Sequence, residues 1–418
     1  MNYSNFAKRY TEHSGIVQLM EDLGEAMASD RPVLMLGGGN PAHIPEVEAF
    51  FRERMQRLVD DAAAFSHFIG DYDPPGGNRR FIEALAALFN DKYGWGITPD
   101  NIVLTAGSQS AFFMLFNMLA GEFPDGSYRR ILLPLAPEYI GYSDVGLSGD
   151  IFLANRPDIE TFDDRSFKYH VDFDSLTVDE SVGAVCVSRP TNPTGNVLTD
   201  AEMRRLSALT RERGIPLIVD NAYGMPFPDI IFTEATLEWD EHMILCMSLS
   251  KLGLPAARTG IIIAGEEVVQ AVAGMNGIFN LAMGSLGPVL AQDLVSSGEI
   301  MTMSETLIRP YYRRKAGFAI DCCRRELDGL DYYIHKAEGA IFLWLWFPGL
   351  PISSEELYQR LKARGVLVLS GHYFFPGIEE DWKHKDECLR LSYAMPDEVV
   401  SEGIRVIGEE VRKAVNGE

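Results

Sequence analysis

Seven short apolar runs, spaced by helical patterns between about residue 100 and residue 265, constrain this chain more than any other feature. They are Asn101–Thr105, Arg130–Leu135, Ile151–Ala154, Val182–Ser188, Ile215–Asp220, His242–Ser248 and Thr259–Ala264. Several set β-branched and apolar residues on consecutive positions, the pattern of strands buried on both faces. Helical segments such as Ser108–Ala120 and Thr199–Arg213 lie between some of them. The alternation predicts an α/β fold, a mostly parallel seven-stranded sheet sandwiched by helices, with function at the carboxyl ends of the strands. The last third reads as a smaller α+β unit. Pro288 to about Leu327 suits long helices, with Pro310 marking a break or kink. Ala340–Trp346 and Gly365–Leu369 read as strands. The expected division is an N-terminal arm over 1–45 packing with the small domain, a large domain over 46–299 and a small domain over 300–418.

Charge and composition exclude several classes. The 418 residues carry 37 Lys+Arg against 60 Asp+Glu, a net charge of −23, whereas nucleic-acid and membrane-surface binders need clustered positive charge. The longest apolar run, Ile341–Phe347, falls far short of the roughly 20 residues that span a bilayer. Met1–Tyr10 is polar and has no apolar core of a signal peptide. The 5 cysteines form neither a disulfide framework nor a C-x-x-C, and the 8 histidines show no metal-type spacing. These features predict a cytoplasmic protein without a metal site, nucleic-acid partner or membrane anchor.

Two motifs fail on context. Gly37-Gly38-Gly39-Asn40-Pro41-Ala42 matches the dinucleotide fingerprint in letters, with Asp60 and Asp61 about 20 residues on. Pro41 and Pro45, however, interrupt the place where its helix should begin, so the stretch reads as a glycine-rich turn. Ser248-Leu249-Ser250-Lys251 matches S-x-x-K, but its serine ends a strand where that mechanism needs a helix start.

A third constellation is spread along the chain. Ala106-Gly107-Ser108-Gln109-Ser110 joins an apolar strand to an apolar helix, whose first N–H groups are free to hold a phosphate. Asp220 ends the strand pattern Pro216–Asp220. Alone it reads as a helix cap or a solvated strand end, but Lys251 downstream and Tyr223 three residues on change that reading. Lys251 follows the apolar run 243–247 and precedes Leu252 and Leu254, which places it partly buried, a costly position for a lysine without chemistry. Pyridoxal phosphate (PLP) needs this set. It takes a lysine amine kept partly neutral for covalent attachment, a carboxylate to hold the pyridine nitrogen protonated, and donors with an arginine to neutralise the phosphate.

The chain resembles the fold-type I PLP enzymes, and within them the class I/II aminotransferases. The motifs stand in the family's order: Gly39-Asn40-Pro41, Tyr72 with Gly76-Gly77, Gly107-Ser108-Gln109, Pro137-Glu138-Tyr139, Asn192-Pro193-Thr194-Gly195, Asp220-Asn221-Ala222-Tyr223, Ser248–Lys251 with Arg258, and Arg390-Leu391-Ser392-Tyr393. The resemblance implies that Lys251 is the Schiff-base lysine and the base that shuttles a proton between Cα and the cofactor's C4′. It implies that Asp220 pairs with the pyridine nitrogen, that Asn192 and Tyr223 bond the ring's O3′, and that Tyr139 stacks on the ring. Ser108, Gln109, Ser248, Ser250 and Arg258 are implied for the phosphate, with Gly107 permitting close approach. Arg390 is implied as the clamp for the substrate α-carboxylate, helped by the Gly39 N–H and Asn192. Tyr72 matches a tyrosine supplied to the neighbouring active site, which implies a homodimer.

Six segments (His13–Ile16, Ala136–Tyr142, Ser188–Val197, Ser248–Pro255, Gly339–Phe347 and Leu357–Val366) resemble bacterial members that exchange an amino group between valine and pyruvate. The implied activity is ping-pong exchange between L-valine or 3-methyl-2-oxobutanoate and pyruvate or L-alanine, substrates drawn from small amino acids and 2-oxo acids. Arg390 is the only arginine in a carboxylate-binding motif, which favours an uncharged substrate side chain, and Ile16 is expected to help close an apolar pocket. The same lysine, aspartate and arginines also suit a transaminase of different specificity, a lyase, a racemase or an oxidase-like PLP enzyme, because pocket geometry decides which Cα bond breaks. A non-catalytic PLP-binding regulator is a further alternative.

Overall fold

The computed structural model of the protein describes residues 2–11, 17, 21, 24 and 33–418, so Ile16 lies outside the described residues. All seven expected runs form strands of one sheet. Its order is Ile102–Thr105, Gly260–Ile263, Met243–Ser248, Leu217–Asp220, Val182–Ser188 and Tyr128–Leu133, with Phe152–Ala154 on the far side of the last. Four neighbouring pairs are parallel, while Gly260–Ile263 runs antiparallel to both its neighbours. An eighth strand of two residues, Gly121–Glu122, pairs antiparallel with Tyr128–Arg129 and is too short for a hydrophobic pattern to announce. Every residue of Ile102–Thr105, Val182–Ser188, Leu217–Asp220 and Met243–Ser248 is buried, as consecutive apolar positions require when both faces are covered.

The helix Ser108–Leu119 buries Ala111, Phe112, Met114, Leu115 and Phe116. The four larger side chains each contribute roughly 1.5–3 kcal/mol when fully buried. Gly107 precedes the helix and offers no side-chain cap. The forgone cap is worth about 1 kcal/mol, less than one of those side chains. The helix is therefore held by packing while its first N–H groups stay bare. The helix Asp200–Arg213 shows the opposite solution, a capping box in which Thr199 and Glu202 satisfy each other's backbone N–H. Pro310 stands just after a π-helical turn over Ser304–Ile308, within one unbroken helical run from Glu299 to Glu326.

The smaller sheet has six strands, in the order Leu369–Ser370, Cys388–Ser392, Phe342–Trp346, Tyr333–His335, Ser166–His170 and Asp158–Thr161. Its last two strands form a hairpin from residues 158–170, inside the range 46–299 read as the large domain. The stretch read as one arm meets both bodies. Leu34–Met35 pairs with Val366–Leu367 of the smaller unit. The helix Asn5–Thr11 lies on the larger one, where Arg9 donates to the Gly146 carbonyl and Tyr10 to that of Val145.

Candidate active site

Leu217–Asp220 and Met243–Ser248 are parallel neighbours in which Asp220 is paired with Cys246, so both strands end at one edge of the sheet. The turn Ser250–Leu252 follows and carries Lys251. Its Nζ donates to the Gly39 carbonyl at 2.5 Å and lies 5.3 Å from the centre of the Tyr223 ring. Gly39 is held opposite by its own loop, because the N–H of Ala42 donates to the Tyr312 hydroxyl at 2.7 Å. Burial brings the Lys251 amine down to about 8, with Arg390 and Arg258 acting the same way and Asp220 opposing them. At pH 7 such an amine is roughly one-tenth neutral, against under about a thousandth for an ordinary lysine.

Asp220 accepts from the Tyr142 hydroxyl at 2.7 Å through Oδ2 and from the Ala222 N–H at 3.0 Å through Oδ1. Burial pushes its carboxyl up, outweighing the downward pull of these two bonds and of the Lys251 charge.

Arg390 rises from the strand Cys388–Ser392 and is fully enclosed. It donates to the Asn192 side-chain oxygen at 2.8 Å and to the Gly37 carbonyl at 2.5 Å, with its guanidinium 4.1 Å from the centre of the Phe342 ring. Its Nε is buried and has no acceptor. Burial lowers this arginine to about 10. A buried cation with no carboxylate partner among the described residues costs several kcal/mol unless a ligand supplies the anion. The pairing of a free Nε with a planar fork suits a carboxylate.

Close approach explains Gly107. Its φ is +85°, and a Cβ there would lie 2.1 Å from Arg258 Nη2. The bare N–H groups at Ser108, Gln109 and Ser110 begin the next helix. Ser248 and Ser250 meet hydroxyl to hydroxyl at 2.8 Å, and the Ser250 N–H donates to Ser248 Oγ at 3.0 Å. Gln109 is oriented by donating to the Gly141 carbonyl at 2.8 Å. Arg258 is exposed and donates only to the Pro255 carbonyl at 3.4 Å. Helix N–H groups, hydroxyls and a guanidinium at one place form an anion site.

A cavity of about 580 Å³ opens beside Lys251, with Pro41, Ile44, Val47, Leu252 and Tyr312 among its lining residues. Tyr139 is half-buried with its ring 5.4 Å from that of Tyr142. Tyr72 is 83% exposed and reaches none of these groups.

Sequence reasoning named Asp220 but missed what stands behind it: Tyr142, Ser188 and the buried acid Glu138. The available signals were a glutamate inside the apolar segment Leu135–Tyr142 and a serine ending an otherwise apolar strand. Phe342 falls in the stretch Ala340–Trp346 that reads as a strand. It lies in one, and it also supports the Arg390 guanidinium. Among the described residues no three His, Cys, Asp or Glu side chains are grouped to hold a metal ion, and no helix is long and apolar enough to cross a membrane.

Known proteins share this fold. The chain is 49% identical to the valine–pyruvate aminotransferase of Escherichia coli (strain K12) over 414 residues, 99% of each. The crystal structure of the valine–pyruvate aminotransferase from Salmonella typhimurium LT2 superposes with a TM-score of 0.89 at 48% identity, covering 97% of this chain and 100% of that one. A solved structure from Psychrobacter arcticum 273-4 gives a TM-score of 0.97 at 46% identity over 100% of both chains. The family pattern of the class I and II aminotransferases matches residues 33–407. The chain belongs to the class I and II aminotransferases.

Proposed function

We infer that this chain is a PLP-dependent aminotransferase that exchanges the amino group between L-valine or 3-methyl-2-oxobutanoate and pyruvate or L-alanine. The observation that carries the chemistry is Lys251, a half-buried amine held down to about 8 beside the sheet edge where Asp220 also ends. The near-full-length identity to a valine–pyruvate aminotransferase supports the substrate pair.

The residues present fit PLP. The bare helix start with Ser108, Gln109, Ser248, Ser250 and Arg258 would hold the phosphate, and the space left by Gly107 is what lets Arg258 approach. Asp220 would hold the proton of the pyridine nitrogen, Asn192 and Tyr223 would bond the ring oxygen, and Tyr139 would cover the ring. PLP when bound supplies the electron sink for the carbanion formed at Cα, and it carries the amino group between the two half-reactions of the ping-pong sequence. Lys251 would hold the cofactor through its amine, and that amine, when free, would carry the proton taken from the substrate Cα. Arg390 would clamp the α-carboxylate with its guanidinium, with Asn192 and the Gly37 carbonyl fixing its orientation. The apolar wall of Pro41, Ile44, Val47 and Leu252 favours a branched, uncharged side chain.

The same reading places a second copy of the chain against the exposed apolar patch of Tyr72, Ile278, Phe279 and Leu281. The Tyr72 loop is fastened to this patch because the Asn276 side chain donates to the Pro75 carbonyl at 3.1 Å. From there Tyr72 would complete the partner's phosphate site. Five buried, unpaired cysteines support a cytoplasmic location.

Initial rates test the substrate assignment. With pyruvate as acceptor, L-valine should exceed L-aspartate at least about tenfold in kcat/KM, the order of one buried apolar side chain. Equal or reversed preference would defeat it.

A further inference from the structure

Glu138 is wholly buried and plays no part in the chemistry above. Its Oε2 meets the Ser188 hydroxyl at 2.5 Å, Ser188 Oγ meets the Tyr142 hydroxyl at 3.3 Å, and that hydroxyl donates to Asp220 Oδ2 at 2.7 Å. The chain therefore has three oxygen–oxygen contacts between two carboxyl groups. With both carboxyls ionised, only the hydrogens of Ser188 and Tyr142 are available, and one contact must set lone pairs against lone pairs. One added proton satisfies all three.

That proton can sit at either end, and the surroundings decide which. The charged and titratable groups facing Glu138 are Asp220, Tyr142 and Cys186, and among the described residues no Lys, Arg or His forms an ion pair with it. Asp220 instead faces the charge of Lys251. Both carboxyls also accept backbone N–H groups, Glu138 from Ser188 at 2.8 Å and from Tyr139, Asp220 from Ala222 at 3.0 Å, so the charge of Lys251 is what sets them apart.

We propose that Glu138 is a neutral carboxylic acid at the far end of this chain, a positioning residue whose hydrogen, passed on through Ser188 and Tyr142, keeps Asp220 the ionised carboxylate. The hydrogens then run in one direction, Glu138 to Ser188 to Tyr142 to Asp220. Burial acts in the same sense, pushing the Glu138 carboxyl up to about 8. An ionised Glu138 would put a second negative charge behind Asp220 and draw the Ser188 hydrogen away from Tyr142. The proposal rests on the PLP reading only in assigning Asp220 to the pyridine nitrogen.

Two readouts on the holoenzyme test it. Infrared difference spectra of wild type against Glu138→Gln at pH 7 should show the carbonyl stretch of an un-ionised carboxylic acid in wild type and not in the variant. PLP labelled with nitrogen-15 at the pyridine nitrogen should give the protonated-ring chemical shift in both proteins, because the amide of glutamine also donates to Ser188. Tyr142→Phe removes the donor to Asp220. It should move that shift toward neutral pyridine and weaken PLP retention roughly 10-fold or more, the worth of a hydrogen bond to a charged group. Absence of the acid band in wild type, or a nitrogen shift in Glu138→Gln that moves as far as in Tyr142→Phe, would overturn the proposal. If Glu138→Gln does not fold, Ser188→Ala carries the test. The acid band should then shift in frequency as the acid loses its acceptor, and an unmoved band counts against the proposal. A protein that takes no PLP defeats the reading of the site, while the acid band still decides the state of Glu138.

Discussion

Arg390 and Asn192 are bound side chain to side chain at 2.8 Å, and the buried Nε of the same guanidinium has no acceptor. The two residues lie 198 positions apart, Asn192 in the turn after the larger sheet's strand Val182–Ser188 and Arg390 in a strand of the smaller sheet, so the clamp exists only when the two bodies are folded together.

Arg390→Lys should therefore impair substrate recognition more than cofactor retention. A lysine cannot reproduce the planar fork, and loss of a buried charge-assisted contact costs about 2–5 kcal/mol, roughly 30-fold or more in kcat/KM for L-valine. Steady-state kinetics alongside the absorbance of bound PLP separate the two effects.

The pH dependence of cofactor capture should report Lys251. Its amine is held down to about 8 by burial, reinforced by Arg390 and Arg258. Only the neutral amine attacks, so the rate at which cofactor-free protein takes up PLP should rise with pH and level off above about 8. A lysine at the ordinary value of about 10.4 would show a rate still rising there. Stopped-flow absorbance over pH 6–10 distinguishes the two.

Gly107→Ala should disturb the phosphate site without opening the core. The backbone there has a φ of +85°, and the new Cβ would meet the Arg258 guanidinium at 2.1 Å. Strain of this kind costs about 1–3 kcal/mol, and displacing Arg258 should raise the PLP dissociation constant at least about tenfold. Fluorescence titration with PLP measures it.

Ile278→Asp tests the assembly. Ile278 is 84% exposed beside Phe279 and Leu281. A charge placed in a covered apolar face should turn a dimer into a monomer by sedimentation and lower PLP retention, because Tyr72 would no longer reach the neighbouring site. A variant that sediments as wild type would show that this face is not the contact.

Much of this was legible in the chain itself. The seven apolar runs announce the large sheet because most of its strands are buried on both faces, and Asp220 ends one of those strands while Lys251 follows the next, where a ligand site needs them. Other features lay outside what local pattern records. The hairpin 158–170 alternates Asp158, Ile159, Glu160, Thr161 on a solvated edge, so nothing in its composition says which sheet it joins. Gly121–Glu122 is too short to carry a period. Tyr142 and Glu138 read as parts of an apolar segment, and their roles appear only when folding sets Ser188 between them. The bond from Lys251 to Gly39 spans 212 positions and has no trace in either segment.

The most direct test of the account is the visible absorption spectrum of the PLP-loaded protein, recorded before and after L-valine and then after pyruvate. The account predicts a yellow protein that bleaches with valine and recovers its colour with pyruvate, each in stoichiometric amount, with Lys251→Ala failing to complete the cycle. A protein that cannot be loaded with PLP, or one whose colour ignores both compounds, would contradict it.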